Sequence, residues 1–483
     1  MVEVKKQENR HLFVLLLFSA LCGLIVLWNA GTNDGNLAFL LVLLAVCLLP
    51  FLREDPLESI KFFVFLFGMS IGLRGLSILW QGSIWIPNYR NDNPHYLSTL
   101  SLVFIFAVIA IIAVLTGYKS KLGCAVARRL PQVNFFSVEP SRVLRVSMCA
   151  AFIAIVGFYL LYQKCGGREV WGDPGRVITE GMKEGGRLYF ALLTEFGVIG
   201  FFFLYAYTLG RRRTFSEKAL LLLLLSIGCI NFLFIGMKSA VVGFAVVLIV
   251  LHHYIKKRFS YLKMAIIAAA LVALLPLLNS YKKYGLHSAE MIWREYDPTD
   301  IRFLSYLTLA RSAGADMFFL SIDKTPEKLP FQYGRTLLRV ITSFVPRPLW
   351  TDKPWSFGME FNEKYVAKPG FIASVSPATI SELYINFALP GVIIGFFVIG
   401  VFLRAMYQYC IASGVTREKT LIYAILMEKM IVLVDGPIGD YTTFILIRLF
   451  PIVVLAWLLK LLQPQSELEK CPKELLLTTA SLQ

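Results

Sequence analysis

Residues 97–117 read LSTLSLVFIFAVIAIIAVLTG, without one charged side chain. A helix that crosses lipid needs about 20 mainly apolar residues, because each unsatisfied backbone group in hydrocarbon costs several kcal/mol. Comparable stretches recur at 11–29, 36–52, 59–80, 143–163, 187–209, 219–236, 239–255, 262–279, 379–403, 418–434 and 440–461. The expected fold is therefore an all-α polytopic membrane protein with about 12 transmembrane helices. Composition agrees: 57% of the 483 residues are apolar and 17% charged, against about 45–50% and about 25% in soluble domains. That shift excludes a soluble enzyme, and 34 Gly and 21 Pro are too few for collagen-like or disordered chains. Of eight Cys, Cys22, Cys47, Cys149, Cys229 and Cys410 lie in or beside apolar runs and read as small packing residues.

The net charge of +16 is distributed between the spans. Short cytoplasmic loops collect Lys and Arg, and alternate connections do so here. They carry Arg53 and Lys61; Lys119, Lys121, Arg128, Arg129, Arg142 and Arg145; Arg211, Arg212, Arg213 and Lys218; Lys256, Lys257, Arg258 and Lys263; and Arg404, Arg417 and Lys419. The intervening short loops are nearly free of them, with Arg90 alone in 81–96. Both termini are expected inside, with the first span an uncleaved anchor and residues 463–483 a cytoplasmic tail. Membrane orientation thus accounts for the positive charge, and no nucleic-acid partner is expected.

Two outer segments depart from this pattern. Residues 164–186 form a Gly-rich loop, and 280–378, between spans 1–279 and 379–462, holds thirteen Lys and Arg from Lys282 to Lys368. Loops longer than about 60 residues escape the charge rule, so the second can be a large helical extracytoplasmic domain that is basic for function. Within it, 301–322 is long enough to span, but Arg311 and Asp316 would each cost about 2.5–3.5 kcal/mol at the centre of a lone helix. A helix on or partly in the outer interface is expected instead. A second is expected over 334–345, with Arg335 and Arg339 on one face, opposite Leu338, Ile341 and Val345.

Ionisable residues inside spans are functional candidates by default, interhelical pairing being the simpler alternative. They are Arg74, Glu195, Glu428, Lys429 and Arg448, with Lys238, Glu382, Asp435 and Asp440 at outer ends. On a continuous helix Glu428 and Lys429 face about 100° apart, so Arg448 is the expected partner of Glu428. Lys238 and Glu382 share one membrane level beneath the basic segment, which points to a cavity open to the outer face. The outer segments also carry Trp171, Trp293, Tyr296, Tyr333, Trp350, Trp355, Phe357 and Tyr365. Guanidinium forks suit pyrophosphate, and aromatic rings suit sugar faces. An aromatic belt with snorkelling cations is the alternative. His95 and His287 lack neighbouring ligands for a metal; Asp297, Asp300 and Asp352 could hold a hard cation, but Asp297-Pro-Thr-Asp300 is equally a turn followed by a helix cap; and no Walker-type loop is present.

The stretch from Phe344 to Asn362, FVPRPLWTDKPWSFGMEFN, followed by Ser376 to Phe396, SPATISELYINFALPGVIIGF, resembles the bacterial oligosaccharide repeat unit polymerases, the Wzy-type O-antigen polymerases. The resemblance rests on Pro346-Arg347-Pro348, Trp350, Lys353-Pro354, Ser381-Glu382-Leu383-Tyr384, Asn386-Phe387 and Pro390-Gly391. Gly236-Met237-Lys238-Ser239 looks like the family's Gly-x-Arg turn with Lys in place of Arg. Arg347 and Gly358 match the family's spacing of Arg, ten residues, Gly, whereas Arg176 has no Gly at that distance.

The resemblance implies a GT-C-like fold in the bacterial inner membrane, joining undecaprenyl-pyrophosphate-linked oligosaccharides at the outer face without metal or cofactor, with a chain-length regulator as partner. An acceptor hydroxyl would attack the anomeric carbon of the growing chain and the lipid pyrophosphate would leave. Preorganised cations can stabilise that leaving group and a carboxylate can take the proton. The expected pyrophosphate ligands are Arg347, Arg339 and Lys238, then Arg311 and Arg176. Trp350, Trp355 and Tyr384 are the candidate sugar contacts. Glu382 is either the base or a cap on the tenth helix. Rival readings are a flippase for lipid-linked oligosaccharides, an O-antigen ligase and a SEDS-type glycosyltransferase.

Overall fold

The computed structural model describes residues 36, 42–43, 46–47, 55–75, 78, 95–165, 167, 187–235, 238–260, 262–264, 266–267, 270–271, 314–342, 350, 357–366 and 377–462. All regular structure among them is helical. Five of these helices are long and apolar enough to cross a membrane: Tyr96–Lys119, Pro140–Lys164, Phe215–Phe234, Thr379–Ala412 and Ile438–Leu461. Shorter apolar helices lie at Ser59–Gly72, Leu192–Thr208 and Ala240–Ile255. The chain is thus an all-α, multi-pass membrane protein. The expected first span lies outside the described residues, as do most of the second and ninth.

Among the described residues the helices begin with α1 (Ser59–Phe67, continued by the π-helical stretch Gly68–Leu73), α2 (Tyr96–Lys119), α3 (Lys121–Arg129), α4 (Pro140–Lys164), α5 (Arg187–Thr208), α6 (Phe215–Ile235), α7 (Lys238–Ile255) and α8 (Gly314–Lys324). After α9 (Arg339–Thr342) and α10 (Phe357–Phe361), the chain ends in α11 (Thr379–Tyr407), α12 (Arg417–Glu428), α13 (Met430–Asp435) and α14 (Ile438–Leu461). In lipid, helices associate through close packing at small residues. A methyl on Gly117 of α2 would strike the Phe397 carbonyl of α11, and one on Gly400 of α11 would strike the Val114 carbonyl of α2. Gly157 of α4 lies in the same way against Leu193 of α5, and Gly200 of α5 against Ala150.

The tenth expected span is broken. Phe387 (φ −143°, ψ 22°) and Ala388 (φ 53°, ψ −145°) leave the helix inside α11. Pro390 supplies the cause, since it has no N–H and its ring crowds the carbonyl of the residue four before it, Asn386. From Thr379 to Asn386 every residue is buried, whereas Ile393, Ile394 and Val398 beyond the break face outward. The eleventh expected span is also two helices, α12 and α13, with Lys429 non-helical between them (φ −93°, ψ 5°).

Two expectations for 280–378 need correction. Where a helix over 301–322 is expected on or partly in the outer interface, the described part, α8, is buried within the protein from Gly314 to Ser321, against α2, α11 and the π-helical stretch. Burial is tolerated because Asp316 is not a lone charge. Arg74 Nε donates to its Oδ2 at 2.7 Å and Arg74 Nη2 to its Oδ1 at 2.9 Å. Of the helix expected over 334–345, residues 334–338 instead form turns, with Tyr333 and Gly334 at positive φ (45° and 87°), the described helical part is α9, and 343–345 lie outside the described residues. Leu338 and Ile341 are exposed, at 58% and 71%.

Candidate functional site

Basic loops mark one end of the bundle; at the other, residues 314–342 dock onto the N-terminal half of α11. A helix break strands backbone groups that must find partners. Ile385 has lost its helical donor, and Gln332 N donates to its carbonyl at 2.9 Å. The Asn386 side chain completes the join: its Oδ1 accepts from Gly334 N at 2.7 Å, and its Nδ2 donates to Thr336 Oγ1 and to the Glu382 carbonyl, both at 2.7 Å. The left-handed turn at Tyr333-Gly334 delivers that amide, which is why a helix from 334 does not form.

Glu382 lies on the same stretch and is fully buried. Its Oε2 accepts from Ile438 N at 2.7 Å, the first residue of α14. The carboxylate thus caps the last helix, not its own, where the helix dipole favours negative charge. Thr379 Oγ1 donates to the carbonyls of Leu433 (2.7 Å) and Gly436 (2.8 Å). Asp435 accepts from Ser70 Oγ. These contacts tie α1, α11, α13 and α14 into one rim.

Tyr384 is 9% exposed among Phe106, Phe318 and Phe331, with centroid distances of 5.8, 5.9 and 6.2 Å. Its hydroxyl donates to the Thr325 carbonyl at 3.4 Å. The ring is a packing element that leaves little surface for a sugar. Trp350 is 37% exposed. Nearer solvent, Glu360 accepts from Arg335 Nη2 at 3.0 Å and Lys364 Nζ at 2.7 Å. Lys324 Nζ donates to the Tyr365 carbonyl. Burial, then Lys328, push the Lys324 ammonium below its ordinary value, with Asp323 opposing them.

Arg176, Arg311, Arg347 and Trp355 lie outside the described residues. Arg339 and Lys238 are placed by their backbones alone, at the first positions of α9 and α7. The described residues therefore bring together Glu382, Tyr384 and Asn386, and leave the proposed guanidinium cluster unplaced.

A second cluster lies deeper, between α5, α7, α12 and α14. Glu428 accepts from Arg448 Nη2 at 2.8 Å and pairs with Lys429 Nζ at 2.8 Å, while Arg448 Nη1 binds Glu195. The expected Glu428–Arg448 pair is present. Lys429, about 100° round from Glu428 on a continuous helix, reaches it because the helix stops there. Gly243 makes the room: a methyl on it would sit 2.7 Å from Glu428 Cγ. Two cations and two carboxylates balance, which is how buried charge becomes tolerable. Glu195 at 21% and Lys429 at 13% side-chain exposure form the accessible edge of the quartet.

At the basic end, Asp55 gathers three chain segments. Its Oδ2 accepts from Tyr254 at 2.8 Å and Tyr407 at 2.7 Å, its Oδ1 from Leu57 N at 3.0 Å, and His253 Nε2 lies 3.6 Å from Oδ1. Burial opposes its ionisation, yet the neighbouring His253 ring and the hydrogen bonds from Tyr407, Tyr254 and Leu57 outweigh it and hold the carboxyl at about 2. Sequence reading missed this node, whose only signal was an acidic residue in a basic loop. Set against protein-family models, curated proteins and solved structures, the chain matches none of them.

Proposed function

We propose that the chain is a glycosyltransferase that polymerises undecaprenyl-pyrophosphate-linked oligosaccharide repeat units at the outer face of a bacterial inner membrane. The observation that carries this reading is the join between the basic extramembrane segment and the broken helix α11. Gln332, Gly334 and Thr336 seat that segment on the Ser381-to-Asn386 stretch, which is one of the stretches that resembles the repeat unit polymerases. In this reading a basic segment seated there carries its cations towards the rim of the bundle, where a lipid pyrophosphate and a sugar hydroxyl would meet.

In this reading Arg347, Arg339, Lys238, Arg311 and Arg176 grip the departing pyrophosphate and stabilise its growing charge. Trp350 and Trp355 hold sugar rings. Glu382, buried on the N-terminus of α14, holds the rim together as a positioning residue, and it serves as base only if the cap on Ile438 opens. Reconstituted protein supplied with lipid-linked repeat units should make glycosidic bonds between units. Arg347→Ala should keep the protein in the membrane and abolish polymer; polymer of normal length from that variant removes Arg347 from the mechanism.

A flippase is the second reading. The Glu195–Arg448–Glu428–Lys429 quartet favours it, because ionisable groups buried in a bundle and interrupted helices are also features of transport paths. The same reconstitution separates the two: lipid-linked units that change leaflet without new bonds favour the flippase. Transfer to lipid A core would favour a ligase instead.

A further inference from the structure

We infer that the basic end of the bundle holds an anionic phospholipid, its phosphate in a cleft between α2, α3 and α11 and one acyl chain in the groove beside it. The cleft encloses about 520 Å³ and is lined by Lys119, Lys121, Arg128 and Arg404, together with Ser120 and Tyr118. Among the described residues that line it, none is acidic. Arg404 is set over the Tyr118 ring, with its guanidinium carbon 5.4 Å from the centroid. Glu58 approaches from the interior, but it accepts from the Tyr118 hydroxyl at 2.7 Å and has Lys61 at 3.8 Å. Its charge is answered there and does not cancel that of the cleft.

An apolar groove of about 330 Å³ lies on the same two helices, between Ile109, Ile112 and Thr116 of α2 and Ile393, Ile394 and Phe397 of α11. Thr116 Oγ1 donates to its own Ile112 carbonyl at 2.7 Å, so its hydroxyl is satisfied within the helix. At about 1.5 Å of rise per residue, the groove ends about 3 Å along α2 before the cleft begins at Tyr118. An occupant with an apolar tail and an anionic head matches that order, whereas a free anion would leave the groove unused.

The helix α3 supplies an independent observation. Leu122 and Val126, one turn apart on it, and Leu130 just past its end are exposed at 54%, 47% and 42%. Gly123 and Ala127 face the protein, and a methyl on Gly123 would strike Arg404. A helix with such exposed apolar residues flanked by Lys121, Arg128 and Arg129 lies in the plane of a lipid interface, apolar side towards the acyl chains. That position sets the cleft at headgroup level, where basic recesses between membrane helices take anionic lipid heads.

The test is native mass spectrometry of the full chain in detergent, titrated with phosphatidylglycerol, phosphatidylcholine or glycerol 1-phosphate. Saturable retention of phosphatidylglycerol, weak retention of phosphatidylcholine and no competition from glycerol 1-phosphate are expected. The exposed cations allow Lys121→Ala with Arg128→Ala, which should weaken phosphatidylglycerol about thirtyfold, roughly fivefold for each charge. Ile394→Trp, at a position 64% exposed, should weaken it by filling the groove while leaving the charges in place. Equal retention of both lipids, or unchanged binding by the double variant, overturns the proposal. Competition by glycerol 1-phosphate as strong as by the lipid overturns it as well, by reducing the site to an anion cleft.

Discussion

The carbonyl of Ile385 takes its hydrogen bond from the amide of Gln332, at 2.9 Å and 53 residues away in the chain, in place of the helical donor that the break at Phe387-Ala388 removes. One side chain locks this exchange: Asn386 bonds Gly334, Thr336 and Glu382 at once. Asn386→Ala should therefore loosen the docked segment and the helix together. Each buried group left without a partner costs about 1–3 kcal/mol. The measurements are the melting temperature in detergent and the rate of proteolysis within residues 324–338. Unchanged proteolysis would mean that the backbone bond at Gln332 suffices to hold the join.

Arg74 and Asp316 are both buried and bonded through two pairs of atoms. Removing one partner of such a pair costs about 3–5 kcal/mol, whereas replacing both with apolar residues of similar size is often neutral. Asp316→Leu alone should thus destabilise strongly, and adding Arg74→Met should restore much of the loss. A thermal double-mutant cycle measures the coupling. Additive losses would show that α8 is held by its aromatic packing, such as Phe319 against Tyr96 at 5.1 Å, and not by the ion pair.

The same pair marks the boundary of what the sequence discloses. Uninterrupted apolar runs expose their helices to view because the backbone must satisfy itself within lipid: 143–163 became Pro140–Lys164 and 97–117 became Tyr96–Lys119. Asp316 counted as an insertion penalty only while its helix was considered alone, and its partner is 242 residues distant. The break at Pro390 had a local signal, a proline within an apolar run, but the turn that repairs it comes from residues 332–336. Glu382 was legible as a helix cap; that the helix belongs to another segment was not.

Asp55 offers a pH test with a defined sign. Its folded-state value of about 2 lies below the ordinary carboxylate value of about 3.9, so its contribution is present above the latter and lost as pH falls towards about 2. Asp55→Asn should lower the melting temperature by a constant amount between pH 5 and pH 8, with the gap closing only below about pH 4. The three hydrogen bonds at risk, from Tyr254, Tyr407 and Leu57, place the loss at about 1–3 kcal/mol. A gap that stayed the same down to about pH 3 would show that ionisation of the carboxyl plays no part in the loss.

Gly243 tests the deep quartet without altering its charge. Its missing side chain is what lets Glu428 stand between Arg448 and Lys429, since a methyl would approach Glu428 Oε1 to 2.8 Å. Gly243→Ala should force the carboxylate aside and cost about 1–3 kcal/mol by overpacking, less about 0.8–1 kcal/mol regained from helix propensity. Glu428→Gln, which leaves Arg448 and Lys429 facing Glu195 alone, should cost more, about 3–5 kcal/mol. If the quartet is structural, polymer made per folded molecule stays constant in Gly243→Ala while the melting temperature drops. If it is a transport element, translocation falls in Gly243→Ala at temperatures where the protein remains fully folded, because the path depends on where the carboxylate stands and not on how stably the helices pack.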